Sequence, residues 1–168
     1  SSGESGFYGM AGLLLELLQK IKKEYRPYFE VHPGISSVQL AAAISGAPLM
    51  NDFCSVSLSD KLTPWPLIEK RIKGALMGDF VIALFNPQSI ERNWQLKSVI
   101  DICLQSRHGD TPVLLARQVG RENQTKKYFT LNTIPFKEID MLSIIIIGNS
   151  QTTLVDEIFL TPRGYLQN

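Results

Sequence analysis

Apolar and polar residues follow two different periods along this chain, a pattern typical of an α/β protein. Residues 10–23 carry apolar side chains at helical spacing, which predicts a first helix. Its apolar stripe consists of Leu13, Leu14, Leu17, Leu18 and Ile21. Two continuous apolar runs, 80–85 and 143–147, are typical of central strands that are covered on both faces.

The rest of the pattern predicts helices and strands in alternation. We expect helices over 38–45, 65–77 and 94–105, strands over 28–31, 53–58, 112–116 and 126–131, and a terminal hairpin of 152–155 with 158–160. The connection before the strand at 126–131 is short, which predicts antiparallel pairing with the strand before it.

The predicted elements fall into two parts. Gly46, Ala47 and Pro48 end a helix, and a new strand pattern starts near residue 51. We therefore predict a remnant of an N-terminal α/β domain over 1–50 and a C-terminal α/β domain with a mixed sheet over 51–168. The chain begins inside a loop that should follow a strand, so we also expect the sequence to be cut at its N-terminus.

Composition excludes several classes of function. The 168 residues are 44% hydrophobic and 20% charged, and a net charge of +1 gives no overall attraction to nucleic acid or membranes. Cys54 and Cys103 lie in separate apolar segments, which predicts buried free thiols. His32 and His108 have no partner at metal-ligand spacing, and no apolar run could span a bilayer. We expect a cytoplasmic protein without a bound metal.

The segment from residue 1 to residue 12 is the strongest candidate for a ligand site. It contains four glycines directly before the first helix. Glycine allows positive φ and close approach of a ligand, and a helix N-terminus offers free N–H groups. These features predict a loop that binds an anionic or polar small ligand. A tight turn into a buried helix is the alternative.

Several segments, in their order and spacing, resemble the tetrapyrrole methylase superfamily over essentially the whole chain. The opening segment is similar to the family's Ser-Ser-Gly-Asp-Pro-Gly-x-Tyr-Gly-Met-Ala motif, and 31–37 (Val-His-Pro-Gly-Ile-Ser-Ser) is similar to its Val-x-Pro-Gly-x-Ser/Thr motif. Four further segments resemble the branch that acts at C-17 of a precorrin: 57–65 (Ser-Leu-Ser-Asp-Lys-Leu-Thr-Pro-Trp), 83–89 (Ala-Leu-Phe-Asn-Pro-Gln-Ser), 148–152 (Gly-Asn-Ser-Gln-Thr) and 161–165 (Thr-Pro-Arg-Gly-Tyr). The resemblance implies C-methylation of a corrin precursor, with ring contraction, in cobalamin synthesis.

The sequence departs from the family pattern at two places. Glu4 and Ser5 stand where the family has Asp-Pro, so the charge is kept and a rigid turn is lost. The family's first strand and its Gly-x-Gly-Pro-Gly loop would precede Ser1. This second departure again suggests a truncated N-terminal domain.

The resemblance implies that S-adenosylmethionine binds as methyl donor between the two domains. The matching positions are Gly3, Glu4, Phe7, Ser36, Ser37, Phe85, Asn86, Ala116, Arg117, Leu142 and Ser143. Ordinary structural roles remain alternatives for three of them, because Ser36 could cap a helix, Phe85 could pack in the core and Asn86 could occupy a turn.

A tetrapyrrole substrate carries many carboxylates, which arginine can bind through two hydrogen bonds. Arg92, Arg117, Arg121 and Arg163 are the candidates for this role, and a solvated surface position is the alternative for each. Ring contraction requires proton movement, for which Asp60 and Glu4 are the acid–base candidates.

Three hypotheses compete. The first is an enzyme acting at C-17, the second is another precorrin methylase of the same fold, and the third is a non-catalytic fragment that serves dimerisation. The apolar stripe of the first helix lacks upstream strands that would cover it. We therefore expect this 168-residue form to be a homodimer with little or no methyltransferase activity.

Overall fold

A five-stranded mixed sheet lies at the centre of the structure, a computed structural model that describes residues 3–165. The α-helices are α1 (Met10–Gln19), α2 (Ser37–Ser45), α3 (Trp65–Met77) and α4 (Gln95–Leu104). The strands are β1 (Gly46–Ala47), β2 (Phe53–Ser57), β3 (Val81–Phe85), β4 (Pro112–Arg117), β5 (Thr125–Thr130), β6 (Ser143–Ile147), β7 (Thr153–Val155) and β8 (Ile158–Leu160).

The order of strands in the central sheet is β2-β3-β6-β4-β5. β2 and β3 are parallel, whereas β6 runs antiparallel to both of its neighbours. Ile147 lies opposite Ile82 of β3 on one side and Val113 of β4 on the other. All five residues of β6 are buried. The ends of β2, β3 and β4 and the start of β6 therefore meet at one edge of the sheet.

Alternate residues of the central strands pack into two separate cores. On one face, β3 and β6 contact the apolar sides of α3 and α4, including Ile68, Ile72 and Leu96. On the other face, the same strands contact Val38 and Ala41 of α2, together with Phe159 of β8. The predicted continuous apolar strands are confirmed, because both of their faces are covered.

A small second sheet covers part of the α2 face. Its strand order is β1-β8-β7, with β1 parallel to β8 and β7 antiparallel to β8. Gly46 adopts a φ of +133° and lies against the backbone of Phe159. A side chain at residue 46 would therefore collide with β8. Both α2 and β1 join this packing, although they precede the boundary predicted near residue 50.

The mixed α/β fold class predicted from the sequence is confirmed, and three local predictions are corrected. Residues 28–31 form no strand, since none of the described strands lies beside them. α1 ends at Gln19 and is followed by a short 3₁₀ turn, Lys23–Tyr25, rather than continuing to residue 23. The two-residue strand β1 was not predicted. Cys54 and Cys103 are free thiols, and Cys103 is buried as expected, whereas Cys54 is only partly buried.

Residues 3–165 contain neither a membrane-spanning helix nor a cluster of metal-ligating side chains. The helices in this part of the chain are too short or too polar to cross a membrane. The same residues contain no cluster of three or more His, Cys, Asp or Glu side chains that could hold a metal ion.

Candidate functional site

The glycine-rich opening loop is tied to the Pro-Gly loop at residues 33 and 34. One carboxylate oxygen of Glu4 accepts a hydrogen bond of 2.8 Å from the N–H of Gly6, and the other accepts one of 2.7 Å from the N–H of Gly34. These two donors hold the pKa of Glu4 below its ordinary value, Gly34 contributing most. Gly3, at a φ of +74°, lies directly against Gly34. Glu4 therefore acts as a clasp between the two loops.

Three aromatic rings join the opening loop to the end of β3. The ring centroid of Phe7 lies 5.3 Å from that of Phe85, and the ring centroid of Tyr8 lies 4.9 Å from it. The Tyr8 hydroxyl donates a 3.1 Å hydrogen bond to the carbonyl of Ser55 in β2. These distances are typical of favourable aromatic pairs. The loop is thereby fixed over the edge of the sheet.

Three residues at this edge have a backbone conformation in the left-handed region. Tyr8, Asn86 and Gln118 have φ values of 54°, 50° and 53°. For a residue other than glycine this conformation costs about 1–3 kcal/mol, and such residues are concentrated at functional sites. Asn86 is held by a 2.9 Å hydrogen bond from its side-chain nitrogen to the Ser57 hydroxyl, and the N–H of Gln118 donates to the Leu142 carbonyl at 3.0 Å.

These segments enclose a cavity of about 710 Å³ at the sheet edge. Cavities of roughly 300–1,000 Å³ are typical of small-molecule and cofactor sites. Most of the predicted cofactor residues line it, namely Gly3, Glu4, Phe7, Ser36, Ser37, Phe85, Asn86, Leu142 and Ser143. Ser36 also precedes α2, where its N–H donates to the Gln39 side chain at 2.9 Å. The structure thus brings together residues that are more than 100 positions apart.

Two predicted cofactor residues do not line the cavity. Ala116 is fully buried in the core on the α2 side of the sheet. The guanidinium of Arg117 is paired with Asp140, at distances of 2.9 Å from Nε and 2.8 Å from Nη2. Asp140 in turn accepts hydrogen bonds from the N–H of Leu142 and the hydroxyl of Ser143. Arg117 therefore reaches the cavity only through the loop that Asp140 organises.

The four arginines predicted to bind substrate occupy different environments. Arg121 is exposed and lines the cavity. Arg92 is only 6% exposed and donates to protein acceptors, so the alternative of a solvated surface position is wrong for this residue. Arg163 follows Pro162, whose carbonyl accepts from Asn51 near the start of β2, at the opposite end of the sheet. Arg163 is not among the described residues that line this cavity.

The two acid–base candidates also differ. Glu4 lines the cavity, but its carboxylate is occupied by two backbone donors. Asp60 lies in the loop after β2 and accepts a 2.9 Å hydrogen bond from Gln95 at the start of α4. Asp60 does not belong to the cavity wall among the described residues. Neither carboxylate is placed for proton transfer inside the cavity as it stands.

Sequence reasoning missed several residues of the cavity wall. Tyr8 and Gly34 belong to the family-like motifs, so the signal was available there. Gln118, Gly120 and Met141 had no such signal, because they lie in the connections between predicted strands. Their common property is their position at a strand end on the same sheet edge, which can be recognised only after the strand order is known.

Comparisons with known proteins agree with this architecture. The sequence profile of the Tetrapyrrole (Corrin/Porphyrin) Methylases matches residues 1–135. The probable cobalt-factor III C(17)-methyltransferase of Salmonella typhimurium strain LT2 is 46% identical over 165 residues, which are 98% of this chain and 68% of that protein. The precorrin-3B C(17)-methyltransferase of Sinorhizobium sp is 34% identical over 98% of this chain and 67% of its own. Longer relatives also match, and the chain covers 31% and 36% of two of them.

A solved structure extends the agreement from sequence to fold. The crystal structure of the methyltransferase CobJ superposes with a TM-score of 0.91 at 34% identity, covering 96% of this chain and 68% of that one. The two relatives and this superposition cover 96–98% of the chain, including the sheet edge and its cavity, and the profile match covers the part of both that precedes residue 136. The chain belongs to the tetrapyrrole methylase family.

Proposed function

We propose that the protein binds S-adenosylmethionine in the cavity at the sheet edge and transfers its methyl group to C-17 of a corrin precursor, with ring contraction, in cobalamin biosynthesis. The observation that carries the proposal is the meeting of two family-like loops, residues 3–9 and 34–37, with the ends of β3 and β4 around one cavity. Its volume of about 710 Å³ suits a ligand of this size.

The described wall fits the chemical groups of the methyl donor. The hydroxyls of Ser36 and Ser37 and those backbone groups of the loops that are not paired within the protein offer hydrogen bonds to its polar ends. The N–H groups of Gln118 and Gly120 are not among them, because they donate to Leu142 and Gln124. The rings of Phe7, Tyr8 and Phe85 offer apolar faces, and such faces also attract cations. A sulfonium centre carries one positive charge, so an aromatic wall favours it.

The chemistry requires positioning more than covalent catalysis. Bound S-adenosylmethionine supplies a methyl group that is already activated. The chain's own residues must hold donor and acceptor in line and exclude water, an effect worth roughly 7–11 kcal/mol when it is well realised. The clasp by Glu4 and the aromatic contact between Phe7 and Phe85 serve this purpose, because they fix one wall of the cavity. Asp60, which lies outside the cavity wall, remains the proposed acid–base residue for a part of the macrocycle that extends beyond the cavity, since the lowered pKa of Glu4 makes that carboxylate a weak base.

The substrate is proposed to contain cobalt. Of the two relatives described above, the one named for cobalt-factor III is the more similar. The metal-free alternative, precorrin-3B converted to precorrin-4, is the reaction expected from the sequence motifs. Both macrocycles carry peripheral carboxylates, and Arg121 is the basic side chain among the described residues of the cavity wall. We assign Arg121 to substrate binding.

Binding of S-adenosylhomocysteine, the demethylated donor, tests the first half of the proposal. Isothermal titration should give saturable binding, and Phe7→Leu should weaken it because the contact with Phe85 is reduced. Phe53→Leu is the matched control, since Phe53 lies at the start of β2, away from the cavity. Absence of any heat signal at millimolar ligand would reject the methyl-donor site.

Turnover of the two macrocycles tests the second half. The protein is incubated with S-adenosylmethionine and either cobalt-factor III or precorrin-3B, and products are analysed by mass spectrometry. Although the sequence predicts little activity for this 168-residue form, we expect the addition of one methyl group to be faster with the cobalt-containing substrate than with precorrin-3B. Arg121→Gln should raise KM for the macrocycle without changing donor affinity. Faster turnover of precorrin-3B would overturn the cobalt assignment while leaving the reaction class intact.

We also propose that the protein is a cytoplasmic homodimer. The apolar stripe of α1 lies open in the single chain, where Leu13, Leu14 and Leu17 are 41–50% exposed. Monomers rarely expose a contiguous apolar patch of this kind, and a second copy would cover it. Light scattering should give twice the chain mass, and Leu13→Glu with Leu17→Glu should give the monomer mass. A monomeric wild-type protein would contradict this proposal.

A further inference from the structure

Arg92 is a buried cation at the edge of the sheet where the cavity lies. Its Nη1 donates to the carbonyl of Leu58 at 3.0 Å and to the carbonyl of Asn86 at 3.1 Å. Its Nη2 contacts the sulfur of Met141 at 3.1 Å. Leu58 follows β2, Asn86 follows β3 and Met141 precedes β6. One guanidinium group therefore connects three strand ends.

The charge of Arg92 has no carboxylate partner among residues 3–165, where the ion pairs involve other side chains. Burying an ionised group without an opposite charge is costly, and here the cost is offset only by neutral acceptors. A planar guanidinium can reach several acceptors at fixed angles, whereas an ammonium group is a point charge. The arrangement therefore depends on arginine and not merely on a positive charge.

Two of the three groups that Arg92 contacts belong to the cavity wall, namely Asn86 and Met141. Asn86 has the left-handed φ of 50°, so its conformation must be held from outside. Arg92 holds its carbonyl, and Ser57 holds its side chain. Met141 is 47% exposed, yet its sulfur is fixed by the guanidinium. Leu58 is fully buried and anchors the group to the core.

We propose that Arg92 is a positioning residue, which sets the conformation of Asn86 and Met141 so that the cavity accepts the methyl donor. It acts through these two residues and does not itself contact a ligand. The effect on the donor rests on the proposed function, whereas the effect on the two wall residues does not. Hydrogen exchange therefore tests the effect on Asn86 and Met141, and ligand affinity tests the effect on donor binding.

Arg107 provides a control because its buried guanidinium also donates to two backbone carbonyls, at the other end of the sheet, although it has a carboxylate partner, Asp79, at 3.9 Å. Its side chain is 5% exposed, and its guanidinium donates to the carbonyls of Phe80, before β3, and Gly148, after β6. Arg107 does not contribute to the cavity wall described above. A loss of stability alone should therefore affect Arg92 and Arg107 variants alike.

The first measurement is hydrogen exchange of the unliganded protein by mass spectrometry. Arg92→Met should accelerate exchange in peptides covering 84–92 and 138–143, and Arg107→Met should leave those peptides unchanged. Arg92→Lys should give an intermediate result, because an ammonium group can satisfy some of the acceptors. If Arg92→Met fails to fold, the comparison of Arg92→Lys with Arg107→Lys replaces it. Unchanged exchange in both peptides would overturn the positioning role.

The second measurement is the affinity for S-adenosylhomocysteine. Arg92→Met should bind it about tenfold more weakly or worse, the size expected when a charged donor is removed from its acceptors. Arg107→Met should bind it as the wild type does. Equal losses in both variants would overturn the inference in favour of general destabilisation. If the wild type binds no S-adenosylhomocysteine, the proposed function fails, and hydrogen exchange still decides whether Arg92 positions the two wall residues.

Discussion

The carboxylate of Glu4 accepts a 2.7 Å hydrogen bond from the backbone N–H of Gly34, a residue thirty positions away in the sequence. Its second oxygen binds Gly6 within the same loop as Glu4. The two loops that line one side of the cavity are thus joined by a single side chain. This relationship makes the shape of the site sensitive to one carboxylate.

Glu4→Gln should weaken the binding of S-adenosylhomocysteine several-fold. The amide has one acceptor oxygen where the carboxylate has two, so one of the two N–H groups loses its partner. Global stability should change little, since the side chain lies at the surface. Titration calorimetry and thermal melting measure the two effects, with Glu16→Gln in α1 as the control. Wild-type affinity in Glu4→Gln would show that the clasp does not shape the site.

The contribution of the Glu4 clasp should be lost as the pH falls. Because the pKa of Glu4 in the folded protein lies below its ordinary value of 4.5, its contribution is fully present above pH 4.5 and is lost as pH falls through the lowered pKa. The difference in S-adenosylhomocysteine affinity between wild type and Glu4→Gln should be constant from pH 7 to about pH 5 and disappear in stronger acid. A difference that grew on acidification would contradict the sign of this shift.

Gly34→Ala should disrupt the site by a steric route. A Cβ atom at residue 34 would collide with the carbonyl group of Gly3, which is backbone and cannot move without shifting the opening loop. We expect lower melting temperature and weaker ligand binding. Gly12→Ala is the control, because a Cβ there meets nothing within 4 Å and helix propensity favours alanine by about 1 kcal/mol. Normal ligand binding by Gly34→Ala would disprove the close approach.

Arg117→Ala distinguishes direct substrate binding by Arg117 from support of the cavity wall through Asp140. The sequence predicts that it weakens substrate binding more than cofactor binding. The ion pair with Asp140 predicts loss of both, because Asp140 holds the N–H of Leu142 at 3.0 Å in the cavity wall. We expect reduced S-adenosylhomocysteine affinity together with a raised KM for the macrocycle. Lys97→Ala, which removes a surface ion pair with Asp101, is the control. An effect on the macrocycle alone would favour the first role.

Asp140→Asn tests the same ion pair by changing its acidic partner. Burial raises the pKa of Asp140, but hydrogen bonds from Arg117, Ser143 and Leu142, with the charge of Arg117, outweigh burial and leave the pKa below its ordinary value. The charged form is therefore favoured at neutral pH. Asp140→Asn should lower donor affinity about as much as Arg117→Ala does. A double variant that is no worse than either single one would indicate that the two residues act together.

Cys103 should be unreactive in the native protein. Burial raises its pKa to about 11, so the thiolate that reacts with alkylating reagents is scarce at pH 8. Burial also raises the pKa of Cys54. Mass spectrometry after iodoacetamide treatment should find both thiols unmodified in the native state and modified in urea. Rapid native labelling of Cys103 would contradict the packing of α4.

A helix or strand could be predicted from the sequence where its own burial determines the pattern of apolar residues. The apolar run of β6 and the helix α3 are recognisable because burial on both faces, or on one stripe, dictates the residues at each position. β1 was not predictable, since two residues, Gly46 and Ala47, become a strand only beside β8. Residues 28–31 have strand-forming side chains but no neighbouring strand in the described structure. Propensity yields to tertiary context in both cases.

The residues of the candidate site also fall into those that the sequence predicts and those that it does not. Positions within family-like motifs, such as Glu4, Ser36 and Asn86, could be assigned from the sequence. Arg92 could not, because a charged residue in a loop is ordinarily solvated, and its burial depends on acceptors from three distant strand ends. Gln118 was missed because neither its type nor its neighbours favour a left-handed conformation. Such residues become visible only with the strand order.

The position of β6 between β3 and β4 has a consequence for synthesis of the protein. The ribosome synthesises residues 143–147 only after β2 to β5. Until then the parallel pair β2–β3 and the hairpin β4–β5 cannot be joined, and the facing edges of β3 and β4 present unpaired apolar strands. A nascent chain that pauses before residue 143 is therefore a natural client for chaperones that shield strand edges.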